Sequence, residues 1–432
     1  MIIFLLICFG FLGILIGRLV FGKWFNHLNL YTSIWSGSLL LFQLQMIRYY
    51  PLEIKTWTII IMCWLFFLLG SITVVIAQFV VKGKIDVKEH YMDSGKQELD
   101  LKKMKTVLWW LNIITFVSAL HDFYLISKIF GGFSTAILLG NVLYRYRINE
   151  GLPGSIPYIS SLVFTAAVLA GNYTARRGRL TFVAVLPIII IIMIDFANMG
   201  RADILVVALL FSGAYLLTPK VENTNQKKFV FKMRQFAAAL CIVVIIVSGA
   251  EIIRSTRQMK EQFTGATKGL QKLSAGSIIT PSIYLYFTSS YGVLNQYFKN
   301  ESEHTPFGGH TFLPVYRILE KIGVEIHAEV YQTWYRTPVR INTGTYLREL
   351  HGDFGVAGLI LGPYLIGLFA SIFWFRFREH GMITDLCIVS FFYGIIGMSF
   401  FVMATRIGPF FFFLFVSILV GSILDKKKYL PT

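Results

Sequence analysis

The chain has 432 residues, 55% of them hydrophobic, 16% aromatic and only 15% charged, with a formal net charge of +17 and a mean hydropathy of +0.64. Soluble domains carry about 25% charged residues, so an ordinary soluble fold is excluded, and apolar runs of about 20 residues recur from end to end, the length that crosses a hydrocarbon core about 30 Å thick. The runs are continuous rather than alternating, which argues against a β-barrel, and the positive charge reads as cytoplasmic loops rather than nucleic-acid binding, with a site for an anionic lipid or a diphosphate as the second reading.

The expected fold is an all-α polytopic integral membrane protein. It has about 11 transmembrane helices (10–12) and one large extracytoplasmic loop carrying short helices. Predicted spans fall at about 1–20, 28–47, 57–81, 106–130, 155–175, 180–197, 202–219, 233–253, 354–376, 382–403 and 408–424. The first lacks a charged leading region and a small-residue cleavage site, so it reads as a span rather than a removed signal. The second is interrupted by Gln43 and Gln45. The division is a membrane domain over 1–253, the loop over 254–353, and a membrane domain with a cytoplasmic tail over 354–432.

Lys and Arg set the orientation. Counted with the residues at the span ends, the segments after spans 1, 3, 5, 7, 9 and 11 hold 22 of them, against 7 for the short segments after spans 2, 4, 6 and 10. The positive-inside bias places the first set in the cytoplasm, with the N-terminus and the 254–353 loop outside. Arg176, Arg177 and Arg179 then read as a cytoplasmic anchor, and the mixed-charge loop 82–105 as a solvated linker. Within the large loop, 281–298 carries no charge but is diluted by Ser, Thr, Asn and Gln. An interfacial or partly re-entrant helix is expected there.

The basic residues that face outward are the notable ones: Arg145, Arg147, Arg201, Arg254, Arg257, Arg336, Arg340 and Arg348. A single Arg at a membrane boundary usually snorkels or pairs with an acid. A set of them on one face suits a common anionic ligand, because guanidinium is permanently charged and grips phosphate oxygens with a fork of donors. Intramembrane acids and histidines (His121, Asp122 and Asp195) are functional candidates or partners of those arginines.

Residues 342–362, NTGTYLRELHGDFGVAGLILG, run a cluster of ionisable groups straight into an apolar, glycine-spaced segment. His351, Asp353 and Glu349 are candidates to take a proton from a sugar hydroxyl, beside Arg348 as an anion ligand. Asp353 reads equally as an N-cap for the span that follows. Of the loop aromatics, Tyr291, Trp334 and Tyr346 are candidate sugar contacts, against a plain interfacial aromatic belt. The four Cys all lie in apolar runs, and His304, His310, His327 and His351 have no ligand spacing. No metal and no cofactor are expected.

Four stretches, FGGFSTAILLGNVLYRYRINEG, NMGRADILVVALL, SSYGVLNQYFKN with HTPFGGHTFLPVYRILEKIG, and NTGTYLRELHGDFGVAGLILG, occur in an order that resembles the bacterial oligosaccharide repeat-unit (Wzy-type) polymerases of O-antigen and capsule synthesis. The resemblance covers much of 130–365. It implies a glycosyltransferase of the bacterial plasma membrane with its active site outward. Such an enzyme moves a growing glycan from undecaprenyl diphosphate to the non-reducing end of a lipid-linked repeat unit and needs no nucleotide sugar. It implies Arg145 or Arg147, Arg201 and Arg254 as diphosphate ligands, the last opening an R-x10-G spacing to Gly265. The related O-antigen ligases use an outer-loop His, for which His351 is the nearest match; the general base is otherwise left open. Implied partners are undecaprenyl-diphosphate-linked oligosaccharides and membrane lipid, with a chain-length regulator open and no nucleic acid. A ligase-like transferase and a non-enzymatic lipid-linked sugar flippase are the alternatives.

Overall fold

A computed structural model of the chain describes residues 2–82, 94–140, 142–143, 146, 154–156, 158–198, 200, 202–219, 267–268, 270–271, 281–300, 305–326, 332–337 and 339–426. In chain order the helices are α1 (Ile2–Phe21), α2 (His27–Gln43), α3 (Ile54–Lys82), α4 (Ser94–Phe130), α5 (Phe133–Leu138), α6 (Ser160–Arg177), α7 (Phe182–Asn198), α8 (Ala202–Leu217), α9 (Pro281–Asn300), α10 (Leu313–Lys321), α11 (Tyr346–His380), α12 (Ile383–Met398) and α13 (Gly408–Asp425). A 3-10 turn, Ala404–Arg406, joins the last two. Among the described residues the one sheet is an antiparallel hairpin of β1 (Tyr335–Thr337) and β2 (Val339–Ile341).

Among the described residues, five helices are long and apolar enough to cross a membrane: Ile2–Phe21, Ile54–Val81, Leu99–Phe130, Tyr346–His380 and Gly408–Asp425. That is the composition of an all-α membrane protein. Phe182–Asn198, Ala202–Leu217 and Ile383–Met398 are shorter apolar helices. The predicted span at 233–253 lies outside the described residues. Over the predicted span 28–47 the helix stops at Gln43, and Gln45 takes a positive φ of 49°. The polar residues that interrupt the apolar run are where the chain turns.

The chain forms two compact units that run across the sequence divisions. One comprises Met1–Lys88, Glu261–Glu379 and Phe392–Phe411, the other Glu89–Lys260, His380–Phe391 and Phe412–Thr432. In the first unit α1 packs on α2 through a glycine stripe. A Cβ at Gly10 would meet Ser36 Oγ at 2.9 Å, and one at Gly13 would meet Thr32 Cγ2 at 2.6 Å. Lipid supplies no hydrophobic drive between helices, so small residues that allow close backbone approach take its place. Phe4, Leu5, Phe11 and Leu12 of α1 are exposed and apolar. α3 and α11 use the same device, with Gly70 against the Tyr364 carbonyl and Gly367 against that of Phe67.

Helix α9 occupies the predicted interfacial or re-entrant segment, and one face of it is core. Tyr291, Leu294 and Tyr297 are buried. The polar residues that dilute its hydropathy are tethers: Thr288 meets Tyr49 at 2.9 Å, Ser290 Oγ donates to the Phe400 carbonyl at 2.6 Å, and Asn295 Oδ1 accepts from Glu53 N at 2.8 Å. Buried polar groups persist only when so bonded.

In the second unit α6 is buried along almost its whole length. Gly171 packs against the Phe211 carbonyl of α8, and Asn172 Nδ2 donates to Thr218 Oγ1 at 2.8 Å. Asp425 closes α13 onto the start of α12, accepting from Ile383 N at 3.0 Å and Thr384 N at 2.9 Å. Its carboxylate thus satisfies donors that a helix N-terminus leaves open.

Candidate active site at the start of α11

The site lies within the first unit, where the β1–β2 hairpin feeds α11. Tyr346 N donates to the Ser399 carbonyl at 3.0 Å, fixing the start of the helix. The helix then breaks at Gly355, with φ 61° and ψ −148°. That region is essentially restricted to glycine. Beyond the break the chain folds back closely on the first turns. A Cβ at Gly358 would meet the Leu350 carbonyl, and one at Gly362 would meet Leu350 Cδ1 at 2.6 Å. The spacing of Gly355, Gly358 and Gly362 in DFGVAGLILG is therefore a kink followed by two contact positions.

The ionisable residues ahead of the kink point in different directions. Glu349 is 1% exposed. Its Oε1 is 2.7 Å from Arg406 Nη1 and accepts from Gln332 Nε2 at 3.3 Å, while its Oε2 accepts from Met403 N. Arg348 is also 1% exposed. It donates from Nη1 to the Asn342 carbonyl at 2.6 Å and from Nη2 to the Thr333 carbonyl at 2.9 Å. Its guanidinium lies over the rings of Tyr335, 5.1 Å to centroid, and Tyr297, 5.7 Å. It thereby ties both flanks of the hairpin to α11. Gly344 makes room for its stem, since a Cβ there would meet Arg348 Cδ at 2.6 Å.

Asp353 clamps the 305–312 loop. Its carboxylate accepts from Thr305 Oγ1 at 2.7 Å, from His310 N at 3.0 and 3.1 Å, and from Thr311 N at 2.6 Å. A helical segment restarts just past Asp353, beyond the Gly355 break, but the carboxylate bonds to the 305–311 donors instead, so it caps a neighbouring loop in place of the expected N-cap. The sequence shows the acid beside an apolar run, but not that a second segment brings its own free N–H groups to it. His351 is half-buried and its Nδ1 is 2.7 Å from the Tyr297 hydroxyl. The Tyr297 and Phe298 rings stand edge-on to it at 5.6 and 5.3 Å.

Of the other sequence candidates, Tyr346 and Tyr291 lie in the core. Their hydroxyls meet Tyr31 at 2.8 Å and Ser38 at 2.5 Å. Trp334 is half exposed at 50%, with Arg340 over its ring at 5.8 Å. Arg145, Arg147, Arg201, Arg254 and Arg257 lie outside the described residues. In the second unit, Asp195 bonds to described residues beyond the end of α7: its Oδ2 accepts from Ile204 N at 3.0 Å and its carbonyl from Gly200 N at 2.8 Å.

Sequence reasoning missed Arg406, Gln332 and the hairpin, and had Tyr297 only as one of the loop aromatics. Arg406 had a signal, being a lone cation in MATRIG between two apolar runs; such a residue needs a partner. The hairpin had only a weak one, the short alternation YRTPVRI.

Chemically, the arrangement presents one imidazole oriented by a phenol, flanked by two carboxylates and two guanidiniums that are bonded to the surrounding backbone and side chains. No family model, curated protein or solved structure matches this chain.

Proposed function

We propose that the protein is a membrane glycosyltransferase, a polymerase that transfers a growing oligosaccharide from undecaprenyl diphosphate to the non-reducing end of a lipid-linked repeat unit. The reaction belongs to the outer leaflet of a bacterial plasma membrane, in O-antigen or capsule biosynthesis. The observation that carries this reading is the oriented His351–Tyr297 pair at the N-terminal end of a long apolar helix. A base so placed is suited to an acceptor hydroxyl presented next to a lipid.

With Nδ1–H donated to the Tyr297 oxygen, Nε2 of His351 is the basic nitrogen. It takes the proton of the acceptor hydroxyl as that oxygen attacks the anomeric carbon of the donor. The bond from that carbon to the diphosphate oxygen breaks, and the diphosphate leaves with the electron pair. Arginine guanidiniums stabilise the charge that develops. On the sequence alone, Arg145, Arg147, Arg201, Arg254 and Arg257 are the proposed ligands of that diphosphate. Glu349, Arg348 and Asp353 hold the loops around His351, and Trp334 offers an exposed ring to a sugar.

The test is reconstitution of the purified chain in liposomes with lipid-linked repeat units. A polymerase yields a ladder of glycan lengths, lost in His351→Asn and strongly reduced in Arg201→Ala and Arg254→Ala. Normal ladders from all three stably inserted variants would refute the assignment. Transfer of finished glycan to a different acceptor without ladder growth would mark a ligase, and passage across the bilayer with no polymer a flippase.

A further inference from the structure

The hairpin pairs Arg336 directly with Arg340, and both are exposed. Directly opposed residues on one face lie about 5 Å apart at Cβ, where like charges destabilise the strands. Among the described residues neither guanidinium has a carboxylate partner, unlike Lys299 with Glu53 and Arg406 with Glu349. The hairpin is nonetheless firmly seated. Tyr335 and Thr337 are buried on its other face. Gly292 of α9 admits Thr337 so closely that a Cβ there would meet Thr337 Cβ at 3.1 Å. A firmly seated base thus presents, side by side, two guanidiniums that have no carboxylate partner among the described residues.

Arg336 also lines an open cleft of about 530 Å³, with Tyr50, Gln296 and Lys299 among its other walls. Glu53 also lines the cleft and lies 3.4 Å from Lys299, so of the cleft's two cations Arg336 is the one without a carboxylate partner among the described residues. The cleft and His351 lie on different faces of α9: Tyr297 turns to the imidazole, while Gln296 and Lys299 turn to the cleft. A helix with its side chains is about 10–12 Å across. An anion held in the cleft is therefore about a helix width from the base, too far to be the reacting phosphate.

We infer that Arg336 and Arg340 bind an acidic group, a carboxylate or phosphate, carried by the sugar chain itself, so that the repeat unit is an acidic glycan. This rests on the polymerase reading and assigns Arg340 to the glycan rather than to the diphosphate. Two guanidiniums on one face form a fork for a single oxyanion, and Trp334 beneath Arg340 gives a neighbouring ring for a sugar face.

The experiment measures binding of three probes to the full-length protein in detergent: an acidic oligouronate, its neutral methyl ester, and inorganic diphosphate. The oligouronate should bind in a salt-sensitive manner, and the ester should not. Arg336→Gln and Arg340→Gln should each weaken oligouronate binding about tenfold, with partial retention in Arg336→Lys, while stability against unfolding is unchanged or slightly raised, since one like charge is removed. No oligouronate binding, equal binding of the ester, or binding unaffected by both Gln variants overturns the inference. Full displacement by diphosphate overturns it in favour of the lipid-borne phosphate as ligand. The readout does not use glycan transfer, so a chain that binds the oligouronate through these arginines but makes no polymer keeps the site and loses the polymerase reading.

Discussion

Three glycine-to-alanine substitutions within seven residues should differ in sign, and the differences follow from local geometry. Gly355 sits at φ 61°, ψ −148°, with nothing within 4 Å of a Cβ placed there. The cost of Gly355→Ala is therefore torsional, about 1–3 kcal/mol for a residue held in that region. That is about a 5- to 150-fold rise in the unfolded-to-folded ratio. Gly355→Asn should be no milder. Asn tolerates the left-handed helical well near ψ +47°, and this ψ is far from it. Gly358→Ala is destabilising for a steric reason. Its Cβ would lie 2.8 Å from the Leu350 carbonyl carbon and 3.0 Å from Phe354 Cβ, and overpacking of this kind costs about 1–3 kcal/mol. Gly352 lies in regular helix, where a Cβ meets only Thr305 Oγ1 at 3.5 Å and the Tyr297 hydroxyl at 3.8 Å. Gly352→Ala should therefore stabilise, by about 0.5–1 kcal/mol. The assay is SDS titration of each purified variant in mixed micelles, followed by tryptophan fluorescence. A Gly355→Ala protein as stable as the parent, or an Asn variant that restores stability, would refute a glycine-only kink.

The Glu349–Arg406 pair gives a second expectation. Glu349→Gln keeps the shape but leaves a partly exposed guanidinium (14% side-chain exposure) without its counter-charge. Breaking a buried pair costs about 3–5 kcal/mol, with the lower end expected here; the same titration checks it, and the double variant Glu349→Leu, Arg406→Met should recover most of the loss. A double variant as unstable as Glu349→Gln would mean that the carboxylate acts through something other than Arg406. For Asp353→Asn, the amide nitrogen can no longer accept, so the backbone N–H groups of His310 and Thr311 should exchange with deuterium at least about fivefold faster, as loss of about 1 kcal/mol of local protection implies. Unchanged exchange at those two amides would remove the clamp.

The helical, apolar character of the chain was legible because length and hydropathy act over 20 residues at a time. Ten of the predicted spans coincide with helices for that reason. What escaped depends on partners distant in sequence. Asp353 looks like a helix cap when only its own neighbours are read, and its true donors lie at 305–311. Glu349 reads as a candidate base until Arg406, across an intervening helix, is brought to 2.7 Å. Tyr346 and Tyr291 look like interfacial aromatics from composition alone, yet their hydroxyls bond within the first unit's core. The glycines went the other way: their spacing was visible at once, but only φ at Gly355 and the close contacts at Gly358 and Gly362 separate a turn from a packing position.

These partners bear on how the proposed chemistry distributes over the cluster. A catalytic base needs a lone pair aimed at substrate. The two carboxylates at the start of α11 direct theirs at Arg406, Gln332, Met403, Thr305, His310 and Thr311. Recruiting either as a base means removing a bond that fixes a loop. His351 differs in that its Nδ1 meets a phenol hydroxyl, that of Tyr297, rather than a backbone N–H or a guanidinium; the proposed mechanism takes the tautomer with Nδ1–H, which makes Nε2 the base. Under the polymerase reading, the density of charge running into an apolar helix is then mostly fastening. Glu349 with Arg406, Arg348 with the hairpin flanks, and Asp353 with the 305–312 loop secure three segments around a single imidazole. It follows that conservative changes at Glu349 or Asp353 should reduce transfer in proportion to folded protein, whereas His351→Asn should abolish it in protein that is fully folded.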